Sequence, residues 1–352
     1  MAMQEGGSNQ PIADIPAASI DVPDAWMFLH PTRIGSTWEP AMRHLFMPGY
    51  TLERPAAQVW KYTGESWHFF EPQSPATSLK DRFKRKYHRR NARRLRQATE
   101  RLEGPLYDAR SVAPGNIAHI SGELIPKLMF IRRQGVEPTV ILGTRTHPLI
   151  QNVLELFGAK AYCSDRTIQG TFYDASAPSN GQYEPHHQPF LRDFEPIGGW
   201  VADTPAKVFI PRRGSRELLN HDEIEQRLAK RGFETVYFEK RPLREQWSIL
   251  RNAETIVATH GAALGNMIFA ARRPRVVELF GPGYVVDCYR HLTVALGGRW
   301  SAAIGRITAE VVQQIDQLHR PRACQQNNFA LSPETVTHAL DVQESTPRSS
   351  PC

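Results

Sequence analysis

Residues 255–266 read TIVATHGAALGN: an apolar, β-branched run that breaks abruptly into small residues. Thr255-Ile256-Val257-Ala258 has the length and side-chain type of a strand buried on both faces of a sheet. Three similar runs lie around it, Val208-Phe209-Ile210, Thr235-Val236-Tyr237-Phe238 and Arg275-Val276-Val277-Glu278-Leu279. Segments of helical character separate them. Asn220 precedes His221-Asp222-Glu223 as a capping box would, and Ile224 and Leu228 continue an apolar stripe up to Gly232. Pro242 to Ala253 carries Leu243, Trp247 and Leu250 at helical spacing, and Val285 to Leu296 forms a further helix that stops at Gly297-Gly298. Strand and helix in alternation predict βαβ units, right-handed crossovers and an α/β fold. Ligands of such sheets sit beyond the carboxyl ends of the strands, and His260-Gly261-Ala262-Ala263 follows one of those ends.

Upstream, Ile117, Ile120, Leu124, Ile125, Leu128 and Met129 recur at helical spacing. Pro138 to Gly143 reads as a strand, His147 to Phe157 as a helix and Ala159 to Cys163 as a short strand, while Tyr173 to Trp200 reads as loops. At 352 residues the chain is long enough for two lobes. The expected division is a disordered leader over 1–22, a first lobe over 23–200, a second over 201–305, C-terminal helices over 306–342 and a disordered tail over 343–352. Ser332-Pro333-Glu334 opens the last helix.

No run approaches the roughly 18 apolar residues that a spanning helix needs, and the first residues lack a basic region followed by an apolar one. Cys163, Cys288, Cys324 and Cys352 show neither C-x-x-C pairing nor metal-ligand spacing, which predicts reduced thiols and a cytoplasmic protein. The net charge of +7 is local in origin. Residues 80–101 hold 11 Lys/Arg against 2 Asp/Glu, which leaves 32 basic and 34 acidic residues elsewhere. Such a segment can lie on the anionic inner face of a membrane, contact nucleic-acid phosphates, or stand as a solvated charged helix.

Four constellations could carry chemistry. In His260-Gly261-Ala262-Ala263-Leu264-Gly265-Asn266, small residues let backbone N–H groups approach a phosphate or pyrophosphate. The glycine spacing is not that of a dinucleotide fingerprint, and the same residues would also serve a tight packing turn. Pro211-Arg212-Arg213-Gly214-Ser215-Arg216 follows the first strand of the second lobe, where Arg212 and Arg216 suit a diphosphate and Arg213 suits a solvated loop. Glu278, at the end of its strand, could accept hydrogen bonds from ribose hydroxyls. His119 and Glu123, four apart, would share a helix face as a general base and its orienting partner, a spacing equally common in plain surface pairs.

The ordered set Arg212, Arg216, Asn220, Gly232, Phe233, Gln246, His260, Gly261, Ala262, Leu264, Asn266, Phe269, Val277, Glu278 and Leu279 resembles family 61 glycosyltransferases. That family includes bacterial capsular polysaccharide biosynthesis proteins. In the first lobe, Asn116, His119, Glu123 and Pro126 are similar to the family's N-x-x-H-x-x-x-E/D-x-x-P element, with Ile120 where an aromatic is usual and Lys127 where Arg is usual. The resemblance covers residues 110–300 and implies a GT-B-like architecture, two Rossmann-like lobes facing across a cleft. It further implies an inverting transfer from a nucleotide-sugar donor to a glycan or lipid-linked glycan. On that reading His119 and Glu123 are catalytic, and Arg212, Arg216, His260, Gly261, Ala262, Asn266 and Glu278 bind the donor. No cofactor is expected: the nucleotide-sugar is a substrate, and the chain has no Asp-x-Asp metal motif. The alternatives are a basic nucleic-acid-binding protein, which leaves the sheet-edge residues unused, and an inactive nucleotide-binding homologue.

Overall fold

A computed structural model describes residues 9–32, 41–54, 56–66, 98–112, 115–175, 191, 193–316 and 323–345. Most of the basic segment, residues 80–97, lies outside them, as do the first eight residues and residues 346–352 of the expected tail. Among the described residues no helix is long and apolar enough to cross a membrane. The chain divides into two compact units. The first comprises residues 1–17, 55–182 and 196–198, the second residues 18–54, 183–195 and 199–352.

The second unit is built on a seven-stranded sheet. Its order is Glu234–Thr235, Lys207–Ile210, Thr255–Thr259, Arg275–Phe280, Arg299–Ile304, Ala25–Thr32 and Ala41–Met47. Every neighbouring pair is parallel except the last, which is antiparallel. Its five C-terminal strands therefore run in the spatial order second, first, third, fourth, fifth. In that doubly wound order the chain reverses its winding direction between Lys207–Ile210 and Thr255–Thr259, and this switch point opens a crevice at their carboxyl ends. One face of the sheet packs Phe28, Phe209, Val257, Val277, Leu279 and Ala303 against Ile224, Leu228, Val336 and Leu340 from two helices. The opposite face carries Ala258, Glu278 and Ala302 in one row of the ladder.

The central strands form where the apolar runs predict. Other expectations need correction. The run Thr235–Phe238 is strand only at Glu234–Thr235, keeps one further bond from Val236 N–H to the Phe209 carbonyl, and then enters a 3-10 turn at Phe238–Lys240, where Gln246 Nε2 bonds the carbonyls of Phe238 and Arg241. The helix expected from Val285 begins at Cys288, after a turn in which Tyr284 N–H bonds the Gly281 carbonyl. From residue 10 the expected leader forms paired strands: Gln10–Ile15 pairs with Ala57–Lys61, and Ala18–Val22 pairs with Tyr50–Arg54. Pro11 is tolerated because its strand is an edge. Residues 25–32 and 41–47 belong to the second unit's sheet rather than to the first lobe. Arg290, almost wholly buried, holds that region by donating from Nη2 to the carbonyls of Pro23, Met47 and Pro48. The last helix runs Pro333–Ser345, past the expected end at 342, since Arg231 pairs with both Asp341 and Glu344 at 2.7 Å.

The first unit holds a mixed six-stranded sheet, in the order Gln10–Ile15, Ala57–Ser66, Thr167–Ala175, Thr99–Asp108, Thr139–Leu142 and Ala161–Cys163. The first two pairings are antiparallel and the other three parallel, so only part of this sheet has Rossmann-like character. Two βαβ steps are present, through Ile125–Arg132 and through Pro148–Leu156. Thr167–Ala175 takes residues 173–175 out of the expected loop region. Beside it, burial alone would raise the Asp108 carboxyl, but Arg110 and Ser66 bond it and hold it below its ordinary range.

Candidate donor site at the sheet switch point

Arg212 and Arg216 follow the strand Lys207–Ile210, and His260 and Gly261 follow Thr255–Thr259, so the switch point brings the two constellations together. Arg212 lies against Gly261: a Cβ there would come within 2.7 Å of Arg212 Nη1. Arg212 Nη2 also bonds Ser215 Oγ at 3.3 Å. Arg216 and His260 meet on a single ring. The Arg216 guanidinium carbon lies 5.3 Å from the Tyr284 ring centre, and the imidazole centroid lies 5.3 Å from the same ring. Burial first, and then the neighbouring Arg212 charge, lower the pKa of Arg216. Its Nε is buried without a hydrogen-bond partner. Among the described residues neither Arg212 nor Arg216 pairs with a carboxylate. Two crowded, half-buried cations lacking a counter-charge form a site that an anion would stabilise.

Arg216 has φ = 60°, the left-handed region that a residue with a side chain rarely enters. A strap from the C-terminal part of the chain holds it there. Arg216 N–H bonds the Gln326 carbonyl, Phe329 N–H the Glu217 carbonyl, and Leu219 N–H the Phe329 carbonyl. Asn220 clamps the far end of the strap, accepting from Leu331 N–H at 3.1 Å and donating to the Leu331 carbonyl at 2.8 Å. It therefore makes no side-chain cap for the following helix, and its contact with Glu223 joins side chain to side chain. Arg213, assigned to a solvated loop from sequence, is exposed there, stacks over Tyr237 and pairs with Glu217.

His260 is 5% exposed and stacks on Phe280 at 4.9 Å. Its Nδ1 lies 2.5 Å from Glu278 Oε1, while Glu278 Oε2 accepts from Trp300 Nε1 at 2.8 Å. Glu278 is 0% exposed and both its oxygens are engaged by protein. This corrects the expectation that it contacts ribose: it holds His260. Asn266, also 0% exposed, accepts from Trp247 Nε1 and donates to Gln246 Oε1, so it secures the loop instead of reaching a ligand. Residues 262–269 form a 3-10 helix whose first bond runs from Leu264 N–H to the Gly261 carbonyl. The N–H groups of Ala262 and Ala263 precede that bond, and both residues are half-buried.

In the first unit, Asn116 caps the turn that carries His119, and residues 120–124 form a π-turn leading into Ile125–Arg132. A π-turn shifts the bonding to i→i+5 and is frequent at functional sites. No hydrogen bond joins His119 to Glu123, although the histidine charge acts on the carboxyl. Burial raises the pKa of Glu123; Lys127 and His119 oppose the rise, and Asp174 adds to it. Lys127 pairs with Asp174 at 3.2 Å, and Ser121 Oγ is buried nearby in sequence without a partner.

Residues 115–277 match the family model described as Glycosyltransferase 61. That segment belongs to glycosyltransferase family 61. It contains Arg212, Arg216, His260, His119 and Glu123, and it stops one residue before Glu278. An EGF domain-specific O-linked N-acetylglucosamine transferase from Drosophila melanogaster is 26% identical over 141 residues, which are 38% of this chain and 26% of that protein. The chain thus spans about a quarter of the length of that relative. Two solved structures of the iron-containing dodecameric TibC also align. One is the heptosyltransferase in complex with ADP-D-beta-D-heptose, with 9% identity, TM-score 0.36 and coverage of 94% of this chain and 92% of the other. The second, from enterotoxigenic E. coli H10407, has 8% identity, TM-score 0.37 and coverage of 93% of each chain. At such scores the likeness is no guide to fold or function.

Sequence reasoning missed Trp300, Tyr284 and the strap at 326–331. Trp300 had a readable signal, since an acid inside the apolar run RVVELF needs a second buried donor. A Gly261→Ala substitution is expected to leave thermal stability nearly unchanged, because only the mobile end of Arg212 must move. Displacing that guanidinium should weaken diphosphate binding by about 1.5 kcal/mol, roughly ten-fold, as read by calorimetry. Unchanged affinity would separate Arg212 from the anion site.

Proposed function

We propose that this protein transfers a sugar, with inversion, from a nucleotide-sugar to a glycan hydroxyl, and that the second unit holds the donor by its diphosphate. The observation that carries this reading is the pair of carboxylate-free guanidiniums, Arg212 and Arg216, beside His260 at the switch point, in a segment of family 61. In an inverting transfer the acceptor oxygen forms its bond to the anomeric carbon as the bond from that carbon to the phosphate oxygen breaks. The electron pair of the broken bond leaves on the diphosphate, and a base removes the acceptor proton. Charge accumulating on the leaving phosphate is met by the two guanidiniums, by His260 and by the N–H groups of Ala262 and Ala263. These groups perform, through fixed donors, the stabilisation that any departing diphosphate requires.

We assign the base to the His119 and Glu123 pair in the first unit. A carboxyl whose pKa is raised by burial holds a proton more readily at working pH than a solvated one, as general base catalysis favours.

A thermal-shift screen against uridine, guanosine, adenosine and cytidine diphosphates tests the donor site, since a ligand of the folded form raises its melting temperature. At least one nucleotide should do so in the wild type, and the shift should vanish in Arg212→Ala and Arg216→Ala. Shifts that survive both substitutions would place the diphosphate elsewhere. Glu123 supplies a second test, in which stability and activity move in opposite directions. Its folded pKa lies above the unfolded one, so its ionised form costs stability above that folded value, and the cost disappears below the unfolded value. Glu123→Gln should therefore melt higher than wild type at neutral pH, with the gain fading as pH falls through the folded pKa, while donor turnover drops. A variant that retains full turnover would remove Glu123 from the chemistry.

A further inference from the structure

Glu278 lies in the middle of the sheet, between Ala258 and Ala302 on the neighbouring strands, and those two small residues leave room for a carboxylate on that face. Alternation along the strands puts His260, two residues after Ala258, and Trp300, two before Ala302, on the same face. An indole N–H can only donate, so Glu278 Oε2 is committed as an acceptor from Trp300. Glu278 Oε1 is left for His260 Nδ1. A carboxylate there claims the Nδ1 proton, and a neutral imidazole then offers only a lone pair at Nε2. A lone pair cannot bond an unprotonated phosphate oxygen. His260 must gain a proton before Nε2 becomes a donor.

The groups around the pair make that gain depend on the anion. Arg212 and Arg216, from the loop after Lys207–Ile210, present positive charge and oppose a third cation beside them. Tyr284 and Tyr289 flank the imidazole at 5.3 and 5.5 Å, and Phe280 covers its face. Cys288, on the helix behind, has a thiol that burial and then the Glu278 charge push up to about 12, so it stays protonated. An arriving diphosphate cancels the guanidinium charge and rewards a donor at Nε2.

We propose that Glu278, locked by Trp300, is a positioning residue that makes His260 take up a solvent proton when a diphosphate occupies the site, turning Nε2 into the donor that stays with the leaving phosphate. The proton moves from water to Nε2, no other bond changes, and the imidazolium is held between the carboxylate and the anion. This inference rests on the donor-site reading above and extends it to the protonation state of the site.

The test is calorimetric titration of inorganic pyrophosphate into the full chain, in buffers of different ionisation enthalpy across the neutral range. Wild type, His260→Gln and Glu278→Gln are compared, with thermal unfolding as a check that each is folded. The protonation of pyrophosphate itself is common to all three and cancels in the differences. Wild type should take up about one proton more than either variant near the top of that range, and its affinity should weaken more steeply with rising pH. In Glu278→Gln a neutral imidazole can place its proton on Nε2 unaided, so binding should persist with the proton uptake lost. Equal uptake by wild type and His260→Gln, with binding retained in both, overturns the inference and leaves the anion site standing. No binding to wild type removes the anion site and both readings with it. Should Glu278→Gln fail to fold, wild type against His260→Gln decides.

Discussion

A carboxylate with no solvent exposure, set in the middle of a parallel sheet, is costly unless donors satisfy it, and Glu278 has two: His260 Nδ1 and Trp300 Nε1. An apolar residue of similar volume would suit that row of the sheet better. The arrangement fixes an imidazole ring at the carboxyl end of the Thr255–Thr259 strand, stacked on Phe280 and sharing Tyr284 with Arg216. The rest of the site is arranged around that ring. Gly261 leaves space for Arg212, and the Gln326–Leu331 strap holds Arg216 in its left-handed backbone conformation.

The central strands were legible because buried parallel strands have no solvent face and so read as unbroken apolar runs, as at 208–210, 255–258 and 275–279. Arg299–Ile304 was not read as a strand because it spends side-chain volume on Ser301, Ala302 and Ala303, which accommodate the residues opposite them. Neither could chain order reveal that Ala25–Thr32 crosses to join the second unit's sheet. That pairing spans more than 270 residues of chain and leaves no local periodicity. The edge strand Gln10–Ile15 looked like leader because its stability comes from the partner at 57–61 and not from its own composition.

The site was legible in part, and the errors share one cause. The family resemblance placed Asn266 and Glu278 against the donor, and the residues alone made Asn220 a helix cap. Asn220, Asn266 and Glu278 are instead consumed by protein groups: the strap at Leu331, the Trp247 and Gln246 side chains, and the His260 and Trp300 rings. Arg212, Arg216 and His260 are what remains at the switch point once those are accounted for. Their free hydrogen-bonding capacity distinguishes them from supporting residues, and no spacing rule reports it.

The central claim is that the switch point of the second unit is a diphosphate site. An experimental structure with a nucleoside diphosphate bound would test it most directly. The account predicts phosphate oxygens within hydrogen-bond distance of the Arg212 and Arg216 guanidiniums and of His260 Nε2, with the His260–Glu278–Trp300 contacts intact. A nucleotide bound with its phosphates away from all three side chains would contradict it.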